Sequence, residues 1–250
     1  MTGSSLGVAS FVRELFLTLN QGQIKYAVLR GYEGLPEVIG NDIDLGVCGD
    51  QLDRFLVLLR GVASQHGYRC EIDLYRQNVL KMRLVGSADG SVIKVDVWWA
   101  FKYCGLEYLD IRELLSSRQP YGELLFVARP EHEVALSFLK ELLHMKRIRE
   151  DKLPVLRAKQ NARFEEPFKR FFRPALISRF ERALNQERLS RPVLSWVSVL
   201  ELGFSNAKAY GPIGAILSIS ECLLIRFFEK GKSRFSSINL GISESDLGHG

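Results

Sequence analysis

Two patterns of hydrophobic residues divide the chain, and the first lies in its N-terminal half. Apolar residues at helical spacing predict an amphipathic helix over 6–21 and another over 51–66 that is capped by Asp50. Runs rich in β-branched and aromatic residues predict strands between and after these helices. The predicted strands cover 24–31, 42–48, 68–75, 78–85, 92–99 and 123–128. This order indicates an α+β fold, with a mixed β-sheet domain and flanking helices over 1–128.

The second pattern is helical and begins at Pro130. A proline at a first-turn position with acidic residues close behind it is typical of a helix start. The predicted helices cover 130–150, 163–188, 192–203 and 212–229. We therefore expect a C-terminal helical domain over 129–235 and a disordered tail over 236–250.

Composition and charge are those of a folded soluble protein with one basic region. Of the 250 residues, 46% are hydrophobic and 25% are charged. The net charge of +5 is concentrated in residues 140–190, which hold 14 Lys and Arg against 7 Asp and Glu. This region could face phosphates, nucleic acid or an anionic membrane, and a solvated helical face explains it equally well.

The cysteines and histidines suggest neither a zinc site nor a disulfide framework. The chain has four of each, without a C-x-x-C motif and without zinc-ligand spacing between them. We interpret the cysteines as buried or incidental thiols in a reducing compartment. The first residues also lack the basic start and apolar core of a secretory signal, so a cytoplasmic location is expected.

The segment from Asn41 to Leu45 carries the clearest chemical signal. Side chains alternate between the faces of a strand, so Asp42 and Asp44 point to the same side, with Cα atoms about 6.5 Å apart. Two carboxylates on one face repel each other, and a hard cation such as Mg²⁺ offsets this repulsion. The alternative is a pair of exposed aspartates on an edge strand.

A third carboxylate, Asp96, interrupts an apolar strand. Aspartate is disfavoured in strands, and a buried carboxylate without a partner is costly. Asp96 therefore either faces the same ions as Asp42 and Asp44 or pairs with a base such as Lys94 or an arginine. In addition, Gly31 ends an earlier strand, where a glycine lets the backbone approach a polyphosphate, and Arg30 could bind phosphate.

Together these residues resemble the nucleotidyltransferase superfamily, whose fold is shared by DNA polymerase beta and the aminoglycoside nucleotidyltransferases. Its pattern is an apolar residue, Gly, then Gly or Ser, a spacer, Asp-apolar-Asp/Glu-apolar, and a later Asp on another strand. This layout is matched by Gly31, by Asp42 and Asp44 after a spacer of nine residues that follows Tyr32, and by the later Asp96. Tyr32 departs from it, because the family has a small residue there.

A closer resemblance is to a bacterial subgroup of surface-polysaccharide gene-cluster proteins. It rests on the sequences YAVLR at 26–30, LP at 35–36 and DIDL at 42–45. Some members carry a thymidylate-kinase-like domain, but this chain has no P-loop motif. The resemblance thus implies a nucleotidyltransferase-like mixed-sheet domain and a role in polysaccharide biosynthesis, with a sugar or glycolipid as acceptor.

The resemblance also implies roles for individual residues. The metal-binding and catalytic residues would be Asp42, Asp44 and Asp96, with Mg²⁺ or Mn²⁺ as the cofactor. The nucleotide, an NTP and by preference ATP, would be bound by Arg30, Gly31, Tyr32 and Lys140. NMP would pass to a hydroxyl or phosphate of the acceptor, and pyrophosphate would be released.

Further residues have two interpretations each. Lys140, His144 and Arg147 share a helix face and either contact phosphates or form a solvated basic face. Trp98 either walls the pocket or packs in the core. The aromatic residues of the basic region are spaced like a helix core, and no nucleic-acid-binding module is recognisable, so a nucleic-acid partner is not expected. The aromatic residues concerned are Phe164, Phe168, Phe171 and Phe172.

Two alternatives to an enzyme also fit the sequence. Tyr32 favours a catalytically silent nucleotide-binding module that keeps the fold. Residues 211–235 are strongly apolar but are interrupted by polar and charged residues, which argues against a spanning helix. An amphipathic helix there could lie on anionic lipid at the inner membrane face, or it could pack within the helical domain or a dimer.

Overall fold

A mixed β-sheet with helices on both faces forms the core of the molecule. The computed structural model describes residues 3–76, 78–144, 149, 151–161, 163–185 and 191–232. The tail over 236–250, expected from the sequence to be disordered, lies outside these ranges. The sheet and its flanking helices confirm the α+β class expected from the sequence.

Seven strands build the main sheet in the order β3-β4-β5-β2-β1-β9-β8. They are β1 (Tyr26–Arg30), β2 (Ile43–Val47), β3 (Tyr68–Arg76), β4 (Val79–Gly86), β5 (Val92–Trp98), β8 (Gln119–Tyr121) and β9 (Leu125–Val127). The pairs β2–β5 and β1–β9 are parallel, and the other neighbours are antiparallel. A separate hairpin joins β6 (Phe101–Tyr103) and β7 (Leu106–Leu109).

Helices occupy most of the remaining described chain. They are α1 (Gly3–Gln21), α2 (Leu52–Gln65), α3 (Ile111–Ser116), α4 (Pro130–Leu139), α5 (Leu153–Lys159), α6 (Pro174–Asn185) and α7 (Arg191–Lys232). A π-helical turn, Lys140–His144, continues α4. Helix α7 is interrupted at Gly211, whose φ of 77° is accessible to glycine at little cost.

The two faces of the sheet carry separate hydrophobic clusters. Ile43, Leu45 and Val47 of β2 join one cluster with α1 and α2. Alternate residues of β1, Ala27 and Leu29, join the other with α3 to α7 and the β6–β7 hairpin. Because side chains alternate, Asp44 lies on the second face of the otherwise apolar strand β2. The sheet therefore places the acidic residues on the side covered by the C-terminal helices.

The strands predicted in the N-terminal half are all present within a few residues of the expected bounds. The predicted helices over 6–21 and 51–66 correspond to α1 and α2. Asp50 does not cap α2: it lies in a short 3-10 turn, Gly49–Gln51, and the N-cap residue is Gln51. The prediction was wrong there because the 3-10 turn delays the start of the α-helix.

The helical half differs more from its prediction. The continuous helix expected over 163–188 is wrong, because α6 begins only at Pro174 and a 3-10 turn, Glu166–Phe168, precedes it. The four phenylalanines of this region are nevertheless buried in the core, as expected from their spacing. The helices predicted over 192–203 and 212–229 correspond to the parts of α7 before and after Gly211. The first part is longer than predicted, because it continues beyond residue 203 as far as the interruption at Gly211.

Several elements had no counterpart in the sequence patterns. The missed elements are β6, β7, β8, α3 and α5. All are short, between three and seven residues, so they span too few positions for a periodicity to appear.

The described residues contain no helix whose length and hydrophobicity suit a membrane crossing. Cys48, Cys70 and Cys104 are free thiols.

Candidate metal centre

Three carboxylates converge on the sheet face that the C-terminal helices cover. Asp44 and Asp96 are directly paired across the parallel strands β2 and β5, and Asp42 immediately precedes β2. One oxygen from each of the three lies within 4.8 Å of the others. Asp44 is 3% and Asp96 5% exposed, while Asp42 is half-buried. We call Asp42, Asp44 and Asp96 the triad; the structure brings together the three residues that the sequence singled out.

Two cations flank the triad across the sheet. The register pairs Arg30 with Asp44, Asp44 with Asp96, and Asp96 with Lys81. Arg30 Nε donates to Asp44 Oδ2 at 2.5 Å, and Lys81 Nζ donates to Asp96 Oδ2. Four neighbouring strands thus carry a row of charges in the order plus, minus, minus, plus. Lys81, and not Lys94, is the partner of Asp96.

A bulge in β1 places Arg30 in this row. The register of β1 against β2 shifts between Val28 and Arg30. Val28 faces the cluster beneath α1 and α2, and regular alternation would point Arg30 to that apolar side as well. The extra residue of the bulge turns Arg30 to the face of Asp44. The irregularity therefore has an electrostatic consequence that sequence alternation alone could not reveal.

The acidic and basic groups shift one another's ionisation. Burial and the neighbouring charge of Asp44 raise the pKa of Asp42 above its usual value. Burial alone would lower the pKa of Arg30, but the charge and hydrogen bond of Asp44 outweigh it and raise the pKa. Burial, with the charge of Arg30, lowers the pKa of Lys140. For Asp42, burial and the charges of Asp44 and Asp96 together outweigh the opposing charges of Arg30 and Lys140.

Trp98 borders the triad from the end of β5. Its indole Nε1 donates to Asp44 Oδ1 at 3.4 Å, a long hydrogen bond. Its ring stacks on Phe101 at 6.1 Å between centroids, and the Lys140 ammonium lies 6.0 Å from the ring centroid. Trp98 therefore both packs against the core and contacts a triad residue.

Of the four residues predicted to bind the nucleotide, three line the cleft and Tyr32, in the turn after β1, does not. Gly31 has a φ of 65°, and a Cβ added there would meet no atom within 4 Å. Arg30, Gly31 and Lys140 line the same cleft as Asp42 and Asp44. The ring of Tyr32 instead packs into the core, 8% exposed, with its centroid 4.9 Å from that of Tyr121.

The cleft beside the triad has a volume of about 520 Å³, which lies in the range of small-molecule sites. Residues of the sheet, the Gly31 turn, α4, the π-helical turn and α5 line it. Its described lining carries equal numbers of charges of each sign. The cations are Arg30, Lys140, Arg149, Lys152 and Lys159, and the acids are Glu33, Asp42, Asp44, Glu133 and Glu141.

The basic face expected from Lys140, His144 and Arg147 is only partly described. Lys140 lines the cleft. His144 makes edge contacts with Tyr103 and Tyr108, at 5.2 and 6.1 Å between ring centroids. Arg147 lies outside the described residues.

The ion pairs of two buried carboxylates in the cleft, Glu133 and Glu141, were missed by the sequence analysis. Lys159 Nζ contacts Glu133 at 2.6 Å and Glu33 at 2.8 Å. Arg149 binds both oxygens of Glu141. The available signal was the presence of Glu133 and Glu141 among mostly apolar residues of the helix that begins at Pro130.

Comparisons with known proteins do not assign a family. No family model and no curated protein matches the chain. Two solved structures from Helicobacter pylori are 10% identical to it. JHP933 has a TM-score of 0.41, with 93% of this chain and 99% of that chain covered. A candidate nucleotidyltransferase has a TM-score of 0.40, with 90% and 99% covered. The polymerase core of TRAMP, an RNA surveillance complex, is 16% identical at a TM-score of 0.26, with 80% and 57% covered. At these TM-scores the likenesses carry no argument about function.

Proposed function

We propose that the protein is a metal-dependent nucleotidyltransferase that moves NMP from an NTP, by preference ATP, to a hydroxyl or phosphate of an acceptor. The observation that carries this proposal is the triad: three carboxylates from two strands, with one oxygen of each within 4.8 Å of the others. A cleft of small-molecule size adjoins Asp42 and Asp44 and provides space for a nucleotide.

The donor set of the triad fits Mg²⁺ or Mn²⁺. All three donors are carboxylate oxygens, which are the ligands that hard divalent cations prefer, and the triad contains no histidine or cysteine. Divalent ions, when bound there, would offset the negative charge of the phosphates and of the attacking oxygen. Asp42, Asp44 and Asp96 would hold them.

The chain's own residues have distinct tasks in the proposed reaction. The acceptor oxygen attacks the α-phosphorus, the bond from this phosphorus to the bridging oxygen breaks, and pyrophosphate leaves. The carboxylate of Asp96 takes the proton of the acceptor hydroxyl. Arg30 and Lys140 bind phosphate oxygens, and the turn at Gly31 leaves space beside the backbone for them.

A catalytically silent nucleotide-binding module is the second candidate. The position after Gly31 carries a tyrosine whose ring lies in the core, so this side chain offers no hydroxyl to the phosphates from the cleft. Arg30 and Lys81 also already pair with Asp44 and Asp96. These contacts suit a site that keeps its shape without turnover.

The test combines metal binding with turnover. Titration of the full chain with Mn²⁺, followed by electron paramagnetic resonance, measures ion binding; pyrophosphate release from Mg-NTP over a panel of sugars, sugar phosphates and glycolipids measures turnover. Asp44→Ala and Asp96→Ala should each lose both signals, and Asp53→Ala, which removes an exposed carboxylate from α2, should keep both. Ion and nucleotide binding without turnover would favour the silent module. Turnover that survives both triad substitutions would refute the mechanism.

A third candidate is a peripheral membrane role in polysaccharide assembly. After Gly211, helix α7 exposes the apolar side chains of Ile213, Ile216 and Leu217. Such a face could lie on anionic lipid. Flotation of the full chain and of a variant without 211–235 on vesicles with and without anionic lipid tests this role; equal flotation of both would exclude it.

A further inference from the structure

One wall of the cleft carries polar side chains that the triad chemistry leaves largely unused. This helix wall consists of Glu133 and Ser137 on α4 and of Lys140 and Glu141 on the π-helical turn. The other helix positions here are mostly buried and apolar, namely Val134, Ala135, Leu136, Phe138, Leu139, Leu142 and Leu143. A polar strip on such a helix faces the cleft, and it requires partners there.

The two carboxylates of the helix wall differ in how completely they are bonded. Both oxygens of Glu141 accept hydrogen bonds from the side chain of Arg149. Glu133 Oε1 accepts one from Lys159 at 2.6 Å. Glu133 is only 6% exposed, and its Oε2 is buried without a hydrogen-bond partner among the described residues. An unbonded buried oxygen is unfavourable, so a donor supplied by a ligand would stabilise the site.

The charge around Glu133 selects the kind of donor. Lys159 is shared between Glu133 and Glu33, so two carboxylates face one ammonium group. Within this group of three side chains, the carboxylates outnumber the ammonium group by one. The group therefore favours a neutral or cationic donor group and disfavours an anionic one.

We propose that the helix wall is the acceptor subsite and that Glu133 Oε2 receives an O–H or N–H group of a small hydroxyl- or amine-bearing acceptor. The inference rests on the proposed function and names the substrate class of the same cleft. Among the described residues, the cleft lining holds as many acidic as basic groups, whereas a polyanionic acceptor such as a nucleic acid strand needs a basic surface.

Three related sugars test the wild-type chain. Glucosamine, glucose and glucuronate share one ring. Glucosamine carries an amine in place of the C2 hydroxyl of glucose, and glucuronate carries a carboxylate in place of its C6 hydroxymethyl group. Isothermal titration of the full chain, with Mg²⁺ and a non-hydrolysable NTP present, should show the tightest binding for glucosamine and the weakest for glucuronate. Failure of all three to bind, or binding of glucuronate as tight as that of glucosamine, would overturn the subsite.

A matched pair of variants assigns the effect to one carboxylate. Glu133→Gln should weaken glucosamine binding by about tenfold or more, because the accepting group loses the negative charge that strengthens its hydrogen bond to the amine. Glu131→Gln is the control: Glu131 is equally buried on α4, but it faces Arg129 and Asn161 and does not line the cleft. Equal sugar affinity in Glu133→Gln and wild type would refute the role of Glu133. Should that variant not fold, the order of the three sugars on the wild type decides.

Mn²⁺ binding in the same samples separates the two proposals. Normal Mn²⁺ binding without sugar selectivity would refute the acceptor subsite alone. Sugar selectivity without Mn²⁺ binding would refute the proposed metal chemistry and show that the cleft binds sugars for another purpose.

Discussion

Two sets of acidic residues lie at the cleft, one on its helix side and one on its sheet side, and they are neutralised in different ways. On the helix side, Glu141 has both oxygens bound by Arg149, and Glu133 is bound by Lys159. On the sheet side, the three carboxylates of the triad crowd together, and burial and mutual repulsion keep the pKa of Asp42 raised. Glu141 is fully bonded within the protein and Glu133 is bonded through one oxygen, whereas the three carboxylates of the triad face the two paired cations Arg30 and Lys81, a surplus that an external cation would offset.

The largest expected effect is the loss of turnover when the triad is reduced. Asp44→Asn keeps the size of the side chain but removes the charge of the most buried ligand. We expect pyrophosphate release to fall about a hundredfold or more, as for other groups that stabilise transition-state charge. Because crowding is relieved, the free energy of unfolding without metal should not fall. Pyrophosphate assays and urea unfolding measure the two quantities; normal turnover would contradict the assignment.

The second effect concerns the helix side and should have the opposite pattern. Lys159→Met removes the ammonium that Glu133 and Glu33 share and leaves the buried Glu133 without a counter-ion. We expect the free energy of unfolding to fall by about 2 kcal/mol, less than for a fully buried pair because Lys159 and Glu33 are partly exposed. Urea unfolding measures it. The control Lys152→Met removes a more exposed ammonium of the same cleft and should change stability little.

If Asp44→Asn lowered the free energy of unfolding as much as Lys159→Met does, the contrast between the two sets of acids would disappear. It would mean that the triad is held together as an ordinary ion-pair network by Arg30 and Lys81.

The third effect is stabilisation by added metal. A ligand that binds only the folded state at ten times its dissociation constant adds about 1.4 kcal/mol to the free energy of unfolding. Mg²⁺ should therefore raise the melting temperature of the wild type but not that of Asp96→Asn. Glu141→Gln, which changes a helix-side acid, should keep the response to Mg²⁺ whatever its own stability. A response that survives in Asp96→Asn would place the ion elsewhere.

The sheet side was more predictable from the sequence than the helix side, for physical reasons. Alternation along a strand is a local property, so the common face of Asp42 and Asp44 followed from spacing alone. The partner of Asp96 did not: Lys81 faces it through strand register, which no local pattern reveals. Arg30 reaches Asp44 through a bulge that breaks the alternation. Local patterns thus located the acids and singled out Arg30, but they revealed neither the pairing of Arg30 with Asp44 nor that of Lys81 with Asp96.

On the helix side, the decisive contacts join residues far apart in the chain. Lys159 lies 26 positions after Glu133 and 126 after Glu33. Charged residues in a helix normally face solvent. That Glu133 does not face solvent is seen only in the folded structure, where the neighbouring turns of α4 are buried as well. Helix boundaries were also less predictable here, because the prolines and short turns before α6 interrupt a pattern that otherwise has helical spacing.

The smallest expected effect tests whether a buried ionisable group next to the helix wall can lack a counter-ion. His132 lies between Glu131 and Glu133, it is 4% exposed, and neither ring nitrogen has a hydrogen-bond partner among the described residues. Burial lowers its pKa below the usual value, so the unfolded chain takes up a proton more readily than the folded one. The contribution of neutral His132 to the free energy of unfolding is therefore complete above a pH of about 6.5. It is lost as the pH falls below that value, by at most about 1.4 kcal/mol for each pH unit.

The variant His132→Phe keeps a ring of similar size but cannot take up this proton. Urea unfolding of both proteins between pH 7.5 and about 5, through the ordinary histidine pKa, should give a shallower loss of stability for the variant. His66→Phe, which changes a less buried histidine in edge contact with Phe11, is the control for the loss of an imidazole away from the helix wall. Equal slopes for His132→Phe and the wild type would show that His132 takes up its proton as readily in the folded state as in the unfolded state. In that case Glu131 is close enough to act as its counter-ion, and the helix side neutralises its buried groups as fully as the Glu141–Arg149 pair suggests.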